Sequence, residues 1–353
     1  MSNPLGDELT YPLDIPPKDG EIRVVEPGLY WIRLSLPFRL DHVNVWAIEG
    51  AGGWTVIDTG LDDGRTRAAW KGLLNGALAG RPVERVVATH FHPDHIALAA
   101  WLADRTGASF AASLTDWLFA RTLSTDDTPG QAATVERFYR RAGLDGEALD
   151  ALLDRGNAYA RLVKAVPPVL TRLRHGDALD MGAATWRVIA GAGHTPEPVC
   201  LFRPADASGR APLLISGDQV LPVISPNISV WPTEPDADPL ADYLESFDAL
   251  LALPEETLVL PSHGAPFRGL HLRLAGLRRH HEERLAEIAE LCTTPRTAAQ
   301  VADAVFRPDL DTHQKVFALG EAVAHLNHLV GRGAITRATG PSGTLLYGPR
   351  RSD

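Results

Sequence analysis

Four residues that can bind a metal ion follow directly on an apolar segment in the first third of the chain. The apolar segment covers residues 83–88, and residues 89–95 read Thr-His-Phe-His-Pro-Asp-His. A strand at 83–88 would carry these side chains to one edge of a sheet, and a helix starting near Ile96 would return Asp94 and His95 to the same point. Neutral imidazoles beside a carboxylate suit zinc, manganese or iron(II). Because three of the 13 histidines fall within six positions, we expect a metal site here rather than a polar surface loop.

The segments around this stretch predict a layered α/β fold with a mixed sheet. A Gly-rich turn at 50–53 between apolar segments predicts that the chain begins with antiparallel strands. We expect Asp62 to cap the helix that follows them. The predicted elements, in order, are strands at 29–36, 42–48 and 54–60, a helix at 64–78, a strand at 83–88 and a helix at 94–105. This order is typical of layered α/β proteins, whereas residues 1–27 are expected to be irregular.

Three further polar residues stand past the ends of apolar, strand-like segments. His194, Asp218 and His263 each follow such a segment, as His90 does. Open α/β sheets place their sites outside the carboxyl ends of their strands. We therefore expect these residues to join the stretch at 89–95 in one site.

The chain is long enough for one large domain and a smaller one. Its 353 residues exceed the roughly 100–200 residues of a typical domain. We predict a catalytic domain over 1–270, with a helical insertion at 114–167 that either caps the active site or only adds packing. Residues 271–353 predict helices followed by a β-ribbon, which resembles a winged-helix module. With 11 Lys and Arg against 9 Asp and Glu residues, this part lacks the basic surface of a DNA reader. A packing or dimerisation role is favoured.

Composition excludes several classes of protein. The formal net charge of −10 argues against a nucleic acid as the main partner. The only cysteines, Cys200 and Cys292, exclude a disulfide scaffold and a thiolate zinc site, and they fit a reducing compartment. No secretory signal pattern and no run of 18 apolar residues stands in the sequence. We expect a soluble, cytoplasmic protein with no membrane partner.

These motifs resemble the metallo-β-lactamase superfamily of metallohydrolases. Beside the stretch at 89–95, the resemblance rests on four short motifs in family order between residues 29 and 268: Asp58-Thr59-Gly60, Gly193-His194-Thr195-Pro196, Gly217-Asp218 and Ser262-His263-Gly264. It implies a four-layer αββα metallo-β-lactamase sandwich with a two-metal site at one edge of its sheets. The layout is most similar to glyoxalase-II-like thioesterases and lactonases that carry a C-terminal winged-helix-like module.

The resemblance also implies two sets of metal ligands joined by Asp218. The first ion would be bound by His90, His92 and His194. The second ion would be bound by Asp94, His95 and His263. We expect two divalent ions, with zinc favoured and iron or manganese as alternatives. Asp58 is expected to hydrogen-bond one of the histidines rather than to bind metal.

Such a site predicts hydrolysis. Two divalent ions about 3.5–4 Å apart lower the pKa of a bridging water and so supply a hydroxide nucleophile. One ion would polarise a substrate carbonyl while the other receives the leaving-group charge. Asp94 is the catalytic candidate, because it could orient the water. We predict cleavage of a carboxylic ester-type bond, in a thioester, lactone or ester. The expected partner is a small molecule, for which the apolar helical insertion suggests an acyl group, and a homodimer is left open.

Two other reactions stay open for the same residues. A phosphodiesterase or nuclease could use the same ligands, although 23 basic and 35 acidic residues in 1–270 disfavour a nucleic-acid substrate. A mononuclear iron persulfide-type dioxygenase would need one ion only, and it would leave Asp94, His95 and His263 without a role. A DNA-binding regulator is the least favoured interpretation.

Several polar residues are expected to lie outside the metal site. Glu197 and Pro198 depart from the Gly-His or Glu-His pair that many relatives carry at this point, so no substrate contact is inferred there. Tyr139 on the helical insertion is a minor alternative as an oxyanion donor, and Cys200 is expected to be a buried thiol. Surface or helix-packing roles are predicted for the histidines without partners at ligand spacing, which are His42, His175, His271, His313, His325 and His328.

Overall fold

The computed structural model describes residues 9–307, 309–340 and 342–350, without the side chains of residues 312 and 313. The prediction for His313 therefore lies outside the described residues. Within them, the chain forms two mixed sheets, a β-hairpin and eleven helices. This arrangement confirms the predicted α/β fold.

The first sheet has seven strands that neighbour one another in chain order. They are β1 (Ile22–Glu26), β2 (Leu29–Ser35), β3 (His42–Glu49), β4 (Trp54–Ile57), β5 (Val83–Val87), β6 (Ser109–Ala112) and β7 (Thr171–Arg172). Strands β1 to β4 pair antiparallel, and β4 to β7 pair parallel. The expectation of an irregular segment over 1–27 is wrong for β1. Strand β1 forms because its backbone pairs with the edge of β2. This pairing cannot be recognised from the local sequence of β1.

The second sheet has five strands in the order β12-β11-β10-β9-β8. They are β8 (Ala178–Met181), β9 (Ala184–Ala190), β10 (Val199–Arg203), β11 (Leu213–Gly217) and β12 (Leu258–Pro261). Strands β11 and β12 pair parallel and the others pair antiparallel. The parallel pair ends at Gly217 and Pro261, one residue before Asp218 and two residues before His263.

One hydrophobic core contains side chains of both sheets, so the sheets pack face to face. Trp31 and Trp46 of the first sheet stack with ring centroids 6.0 Å apart, and the same core includes Val188 and Leu201 of the second sheet. Strands β4, β10, β11 and β12 are buried at every residue, as expected for strands covered on both faces. Burying one side chain such as Leu201 stabilises the fold by about 1.5–3 kcal/mol.

Helices connect the strands and follow them. They are α1 (Gly64–Asn75), α2 (Pro93–Ile96), α3 (Ala99–Thr106), α4 (Leu114–Thr125), α5 (Pro129–Arg141), α6 (Gly146–Leu153), α7 (Ala158–Leu162), α8 (Pro239–Leu251), α9 (Leu270–Leu291), α10 (Ala298–Val305) and α11 (Thr312–Gly331). Helices α4 to α7 occupy the predicted helical insertion at 114–167. In the described part of the chain, no helix combines the length and the apolar character needed to cross a membrane.

Three details of the predicted helices are wrong. Asp63, not Asp62, caps α1 through its side chain. The single helix predicted over 94–105 is two helices, because the residue before α3 leaves the helical conformation with φ −96° and ψ 3°. Within the insertion, the sequence over 145–166 predicts one long helical segment, but the structure has two helices, α6 and α7. Gly156 between them has φ 50°, which a right-handed helix cannot contain.

The chain divides into two compact units. The first unit contains both sheets and consists of the described residues up to 125, 159–226 and 246–275. The second unit consists of 126–158, 227–245 and the described residues from 276 onward. The C-terminal segment therefore shares a unit with part of the predicted insertion. The domain boundary between residues 270 and 271 stays a prediction.

The C-terminal part of the second unit is a helical region followed by a hairpin. Thr297 and Asp311 begin α10 and α11 with capping boxes, in which Gln300 and Gln314 complete the reciprocal bonds. Strands β13 (Ile335–Thr339) and β14 (Leu345–Pro349) pair antiparallel. Helices followed by a two-stranded ribbon were predicted, and both are present.

Two buried histidines contact each other within this unit. His281 Nδ1 lies 3.2 Å from His325 Nε2, and His325 Nδ1 donates to the carbonyl of Glu321 at 2.8 Å. Because His325 donates through Nδ1, its Nε2 accepts the proton of His281. Burial lowers the pKa of His281 to about 2 and that of His325 to about 4. The predicted helix-packing role of His325 is confirmed.

This pair predicts a loss of stability in acid. A histidine whose folded-state pKa lies below 6.5 binds its proton first in the unfolded chain, so the free energy of unfolding falls as the pH drops below about 6.5. For His325 this loss amounts to about 2 kcal/mol at pH 5. We expect His325→Gln to show a smaller drop in melting temperature between about pH 7.5 and pH 5 than the wild type, measured by calorimetry. The exposed His175→Gln is the control, and equal drops in all three proteins would contradict the prediction.

Candidate metal centre

The seven predicted site residues come together at one edge of the two sheets. His90, Asp94 and their neighbours follow β5, while His194, Asp218 and His263 follow β9, β11 and β12. The strands thus deliver side chains from both sheets to the same place, as predicted. His92 stands directly before α2, and Pro93 begins that helix.

Four of these residues form the first group, which is His90, His92, His194 and Asp218. One ligand atom from each lies within 4.8 Å of the others. His90 Nε2 is 3.1 Å from His92 Nδ1 and 3.3 Å from His194 Nε2. His194 Nε2 is 3.4 Å from Asp218 Oδ2. Three imidazoles and one carboxylate oxygen therefore surround a single point.

The remaining three residues form the second group, which is Asp94, His95 and His263. Asp94 Oδ2 lies 3.5 Å from His95 Nε2 and 3.5 Å from His263 Nε2. The other oxygen of Asp218, Oδ1, lies 3.4 Å from His263 Nε2 and 3.7 Å from His95 Nε2. Asp218 thus turns one carboxylate oxygen toward each group.

The unpaired atoms of the second group fit a divalent cation. His95 Nε2, His263 Nε2 and Asp218 Oδ1 are buried and have no hydrogen-bond partner. Leaving a buried polar atom unpaired costs about 1–3 kcal/mol, and three of them converging on one point fit a cation as their common partner. Ligand atoms around a tetrahedral zinc, with bonds of about 2.0–2.1 Å, lie roughly 3.3 Å apart. The separations given above lie between 3.1 and 3.7 Å, close to that value, and His90 Nε2 to Asp218 Oδ2 is longer at 4.0 Å.

Hydrogen bonds on the far side of three of the five rings fix which nitrogen faces the site. His90 Nδ1 lies 3.0 Å from Thr89 Oγ1, and His263 Nδ1 lies 2.7 Å from the carbonyl of His42. His95 Nδ1 lies 2.8 Å from Asp58 Oδ2. Each Nδ1 can therefore carry the proton, which leaves the Nε2 lone pair for a metal ion.

Asp58 connects the ligand stretch to β4. Its carboxylate accepts the N–H and the hydroxyl of Thr89 at 2.8 and 2.9 Å in addition to the bond with His95. Asp58 has φ 64°, the only positive value among the described residues other than glycine. The predicted hydrogen bond from Asp58 to one of the histidines is confirmed.

Charges in the centre act on one another. Burial, together with His194, lowers the pKa of His92 to about 3. Burial alone would lower the pKa of His95, but the neighbouring carboxylates outweigh it and raise this pKa well above its ordinary value. Burial alone would raise the pKa of Asp218, but His263 and His95 outweigh it and hold this pKa well below its ordinary value. The Asp218 carboxylate therefore stays ionised near neutral pH and offers charged oxygens to a cation.

Two residues of β3 hold the His263 loop, and neither is predicted from the sequence to do so. Asn44 is fully buried, and its Nδ2 donates to the carbonyls of Pro261 and Gly264, each at 2.8 Å. His42 Nε2 accepts the N–H of Gly264 at 2.9 Å. The surface or helix-packing role predicted for His42 is therefore wrong. Both residues act through backbone atoms of the loop, so no ligand spacing in the sequence could reveal them.

The tyrosine that contacts the ligand stretch is Tyr159. Its hydroxyl donates to the carbonyl of Phe91 at 2.6 Å. Phe91 lies between the candidate ligands His90 and His92 in the sequence. Tyr139, the residue considered in the sequence, is buried in the second unit, and its role as an oxyanion donor stays a prediction. Cys200 is fully buried and donates to the carbonyl of Ser216, which confirms the buried thiol.

The other histidines with described side chains join neither group. His175 is exposed, His271 Nε2 lies 2.9 Å from the carbonyl of Leu253, and His328 pairs with Asp238 at 3.0 Å. Among the described residues, the two groups above are the only clusters with metal-ligand geometry.

A model of the metallo-beta-lactamase superfamily matches residues 38–263, which is more than half of the chain and includes all seven candidate ligands. The chain belongs to the metallo-beta-lactamase superfamily. A second model, described as the metallo-beta-lactamase-like C-terminal domain, matches residues 285–350. The protein is thus a metallo-beta-lactamase superfamily hydrolase that also carries a metallo-beta-lactamase-like C-terminal domain.

Three relatives illustrate the similarity. A solved beta-lactamase domain protein from Burkholderia ambifaria is 43% identical, with a TM-score of 0.87, over 97% of this chain and 98% of that one. The Bacillus subtilis protein named probable metallo-hydrolase YqjP is 26% identical over 86% of this chain and 93% of its own length. The Bos taurus protein named acyl-coenzyme A thioesterase MBLAC2 is 26% identical over 67% of this chain and 78% of its own length.

Replacing Asp58 should weaken the second group more than the first, because its carboxylate holds His95 directly and reaches His90 only through Thr89. Asp58→Asn keeps the shape and tolerates the positive φ, but it replaces the carboxylate that holds His95 Nδ1–H. We expect one of two bound zinc ions to lose about 10–100-fold in affinity, measured by competition with a chromophoric chelator. Asp63→Asn is the matched control, because asparagine also caps helices, and it should bind both ions as the wild type does. Unchanged affinity in Asp58→Asn would show that Asp58 does not orient His95.

Proposed function

We propose that this protein is a two-metal-dependent hydrolase that cleaves a carboxylic ester-type bond, in a thioester, lactone or ester. The observation that carries the proposal is the position of Asp218, whose two oxygens face the two groups separately at 3.4 Å from His194 and 3.4 Å from His263. A carboxylate in this position is suited to hold two cations side by side. Two-metal sites of this kind are typical of hydrolases.

The residues divide the work of holding the ions. The first group, with Asp218 Oδ2, would hold one ion, and the second group, with Asp218 Oδ1, would hold the other. We propose zinc, because the donor set is five imidazoles and two carboxylates without a thiolate. When bound, two such ions lower the pKa of a water and withdraw electron density from a substrate oxygen.

Asp94 is the residue that we propose to handle the proton. Its side chain is 19% exposed, whereas those of His95, His263 and Asp218 are 0%, 2% and 9% exposed. An ionised carboxylate at the open side of a buried cluster can accept a hydrogen bond from the attacking water and fix its direction. Burial would raise the pKa of Asp94, but the neighbouring His95 outweighs it and lowers this pKa.

The choice of an ester-type substrate has two supports. The Bos taurus relative is named an acyl-coenzyme A thioesterase, and the acidic net charge of −10 disfavours a polyanionic nucleic acid. We propose a small, acyl-bearing molecule as substrate. A phosphodiesterase using the same groups is the second candidate. A mononuclear dioxygenase is disfavoured, because the second group is assembled and its unpaired atoms need a cation of their own.

The finer architecture belongs to the same proposal. We propose that the sheets and their helices form the four-layer αββα sandwich, and that residues 271–353 form a winged-helix-like module. The helices α10 and α11 followed by the β13–β14 hairpin support that module, as does the match to a C-terminal domain model. Its near-neutral charge favours a packing or dimerisation role over DNA binding.

A substrate panel tests the proposed reaction. We expect the zinc-loaded protein to hydrolyse an acyl-thioester, an acyl-homoserine lactone or an aryl ester at least 100-fold faster than a bis-aryl phosphate, measured as initial rates. The same protein stripped with a chelator should lose this activity and regain it with zinc. Turnover of the phosphodiester without turnover of any ester would reject the ester-type assignment.

A further inference from the structure

A buried carboxylate outside the metal centre holds two of its loops together. Asp116 lies in the first turn of α4 and is 1% exposed. Its Oδ1 accepts the N–H of Phe91 at 3.0 Å, and its Oδ2 accepts the N–H of Glu197 at 2.9 Å. The hydroxyl of Ser113 lies 3.3 Å from Oδ2. Each oxygen therefore accepts one backbone N–H from a different loop.

The two N–H groups belong to the loops that deliver the first group. Phe91 stands between His90 and His92, and Glu197 stands three residues after His194. The first loop follows β5 of one sheet, and the second follows β9 of the other sheet. Asp116 thus fixes the distance between histidines that come from different sheets.

The side chain of Glu197 makes a second connection to the same helix turn. Its Oε2 accepts the hydroxyl of Thr115 at 2.7 Å and the N–H of Thr115 at 3.3 Å. The first turn of α4 holds the His194 loop through the backbone of Glu197 and through its side chain.

We propose that Asp116 is a positioning residue for the first metal ion, acting through Phe91 and Glu197 rather than by contact with the ion. The inference rests on the proposed two-metal function. A charged carboxylate that accepts two buried N–H groups forms stronger bonds than a neutral acceptor would. Asp116 also restrains both loops, whereas each strand end restrains only the loop that follows it. The geometry of His90, His92 and His194 depends on that restraint.

The two carboxylates give a matched pair of amide substitutions. Asp116→Asn has one accepting oxygen left, so its NH2 group must face the N–H of Phe91 or of Glu197, and one loop is released. Glu197→Gln keeps a single accepting oxygen, which is all that Thr115 requires. The two variants remove the same charge and change the same atoms, but only the first breaks a connection between the loops.

The test measures zinc binding by the full-length protein. With a chromophoric chelator as competitor, we expect Asp116→Asn to bind one ion about 10–100-fold more weakly and the other as the wild type does. Glu197→Gln should bind both ions within about threefold of the wild type. Cobalt substitution gives a second readout, because a distorted first site should change the visible absorption of one cobalt ion only. Asp116→Glu keeps both carboxylate oxygens, so it should weaken the binding of the same ion less than Asp116→Asn does. It replaces Asp116→Asn in the test if that variant does not fold.

Combination with Asp58→Asn shows which ion is affected. Because Asp58 contacts the second group and Asp116 the loops of the first, the double variant should bind neither ion tightly. If it still binds one ion as the wild type does, both residues act on the same ion, and the assignment of Asp116 to the first group is overturned. Equal weakening in Asp116→Asn and Glu197→Gln, or no weakening in Asp116→Asn, would overturn it as well. A wild type that binds fewer than two zinc ions would instead contradict the proposed function.

Discussion

The buried carboxylate of Asp218 sets the conditions that the rest of the metal centre must meet. It is a negative charge at 7% exposure, placed between two sets of imidazoles at the edge of two apolar sheets. A charge in such a position is stable only if cations or donors surround it. Its Oδ1 has no hydrogen-bond partner, and neither do His95 Nε2 and His263 Nε2 beside it. Cations in both groups would satisfy these atoms at once, which is why two metal ions account for the arrangement better than one.

Buried side chains position several of the ligands, through hydrogen bonds to a ligand ring or to the backbone of a ligand loop. Asp58 fixes Thr89 and His95, Asn44 fixes the loop of His263, and Asp116 joins the loops of His90 and His194. All three side chains are buried at 1% exposure or less. Because interiors are closely packed, a ligand held in this way moves little, and a metal ion finds its site preformed. The apolar core between the sheets supplies the rigid frame from which these bonds extend.

The ligands could be predicted from the sequence, and their supports could not. His90, His194, Asp218 and His263 follow apolar segments that read clearly as strands, and residues 89–95 combine ligand types at metal-binding spacing. Asp116, Asn44 and His42 make their contacts through backbone groups of distant loops, so nothing in the local sequence marks them. Strand β1 was missed for a related reason, because it forms on the edge of β2 rather than from its own alternation. The break between α6 and α7 depends on one glycine that a helical pattern tolerates.

Anomalous diffraction from crystals grown with zinc tests the central role of Asp218 most directly. Two ions should appear as two peaks about 3.5–4 Å apart, one on each side of the Asp218 carboxylate. The peak near Oδ2 should contact His90, His92 and His194, and the peak near Oδ1 should contact Asp94, His95 and His263. If crystals grown with saturating zinc show a single peak at the first group and no peak at the second group, the two-metal account is contradicted.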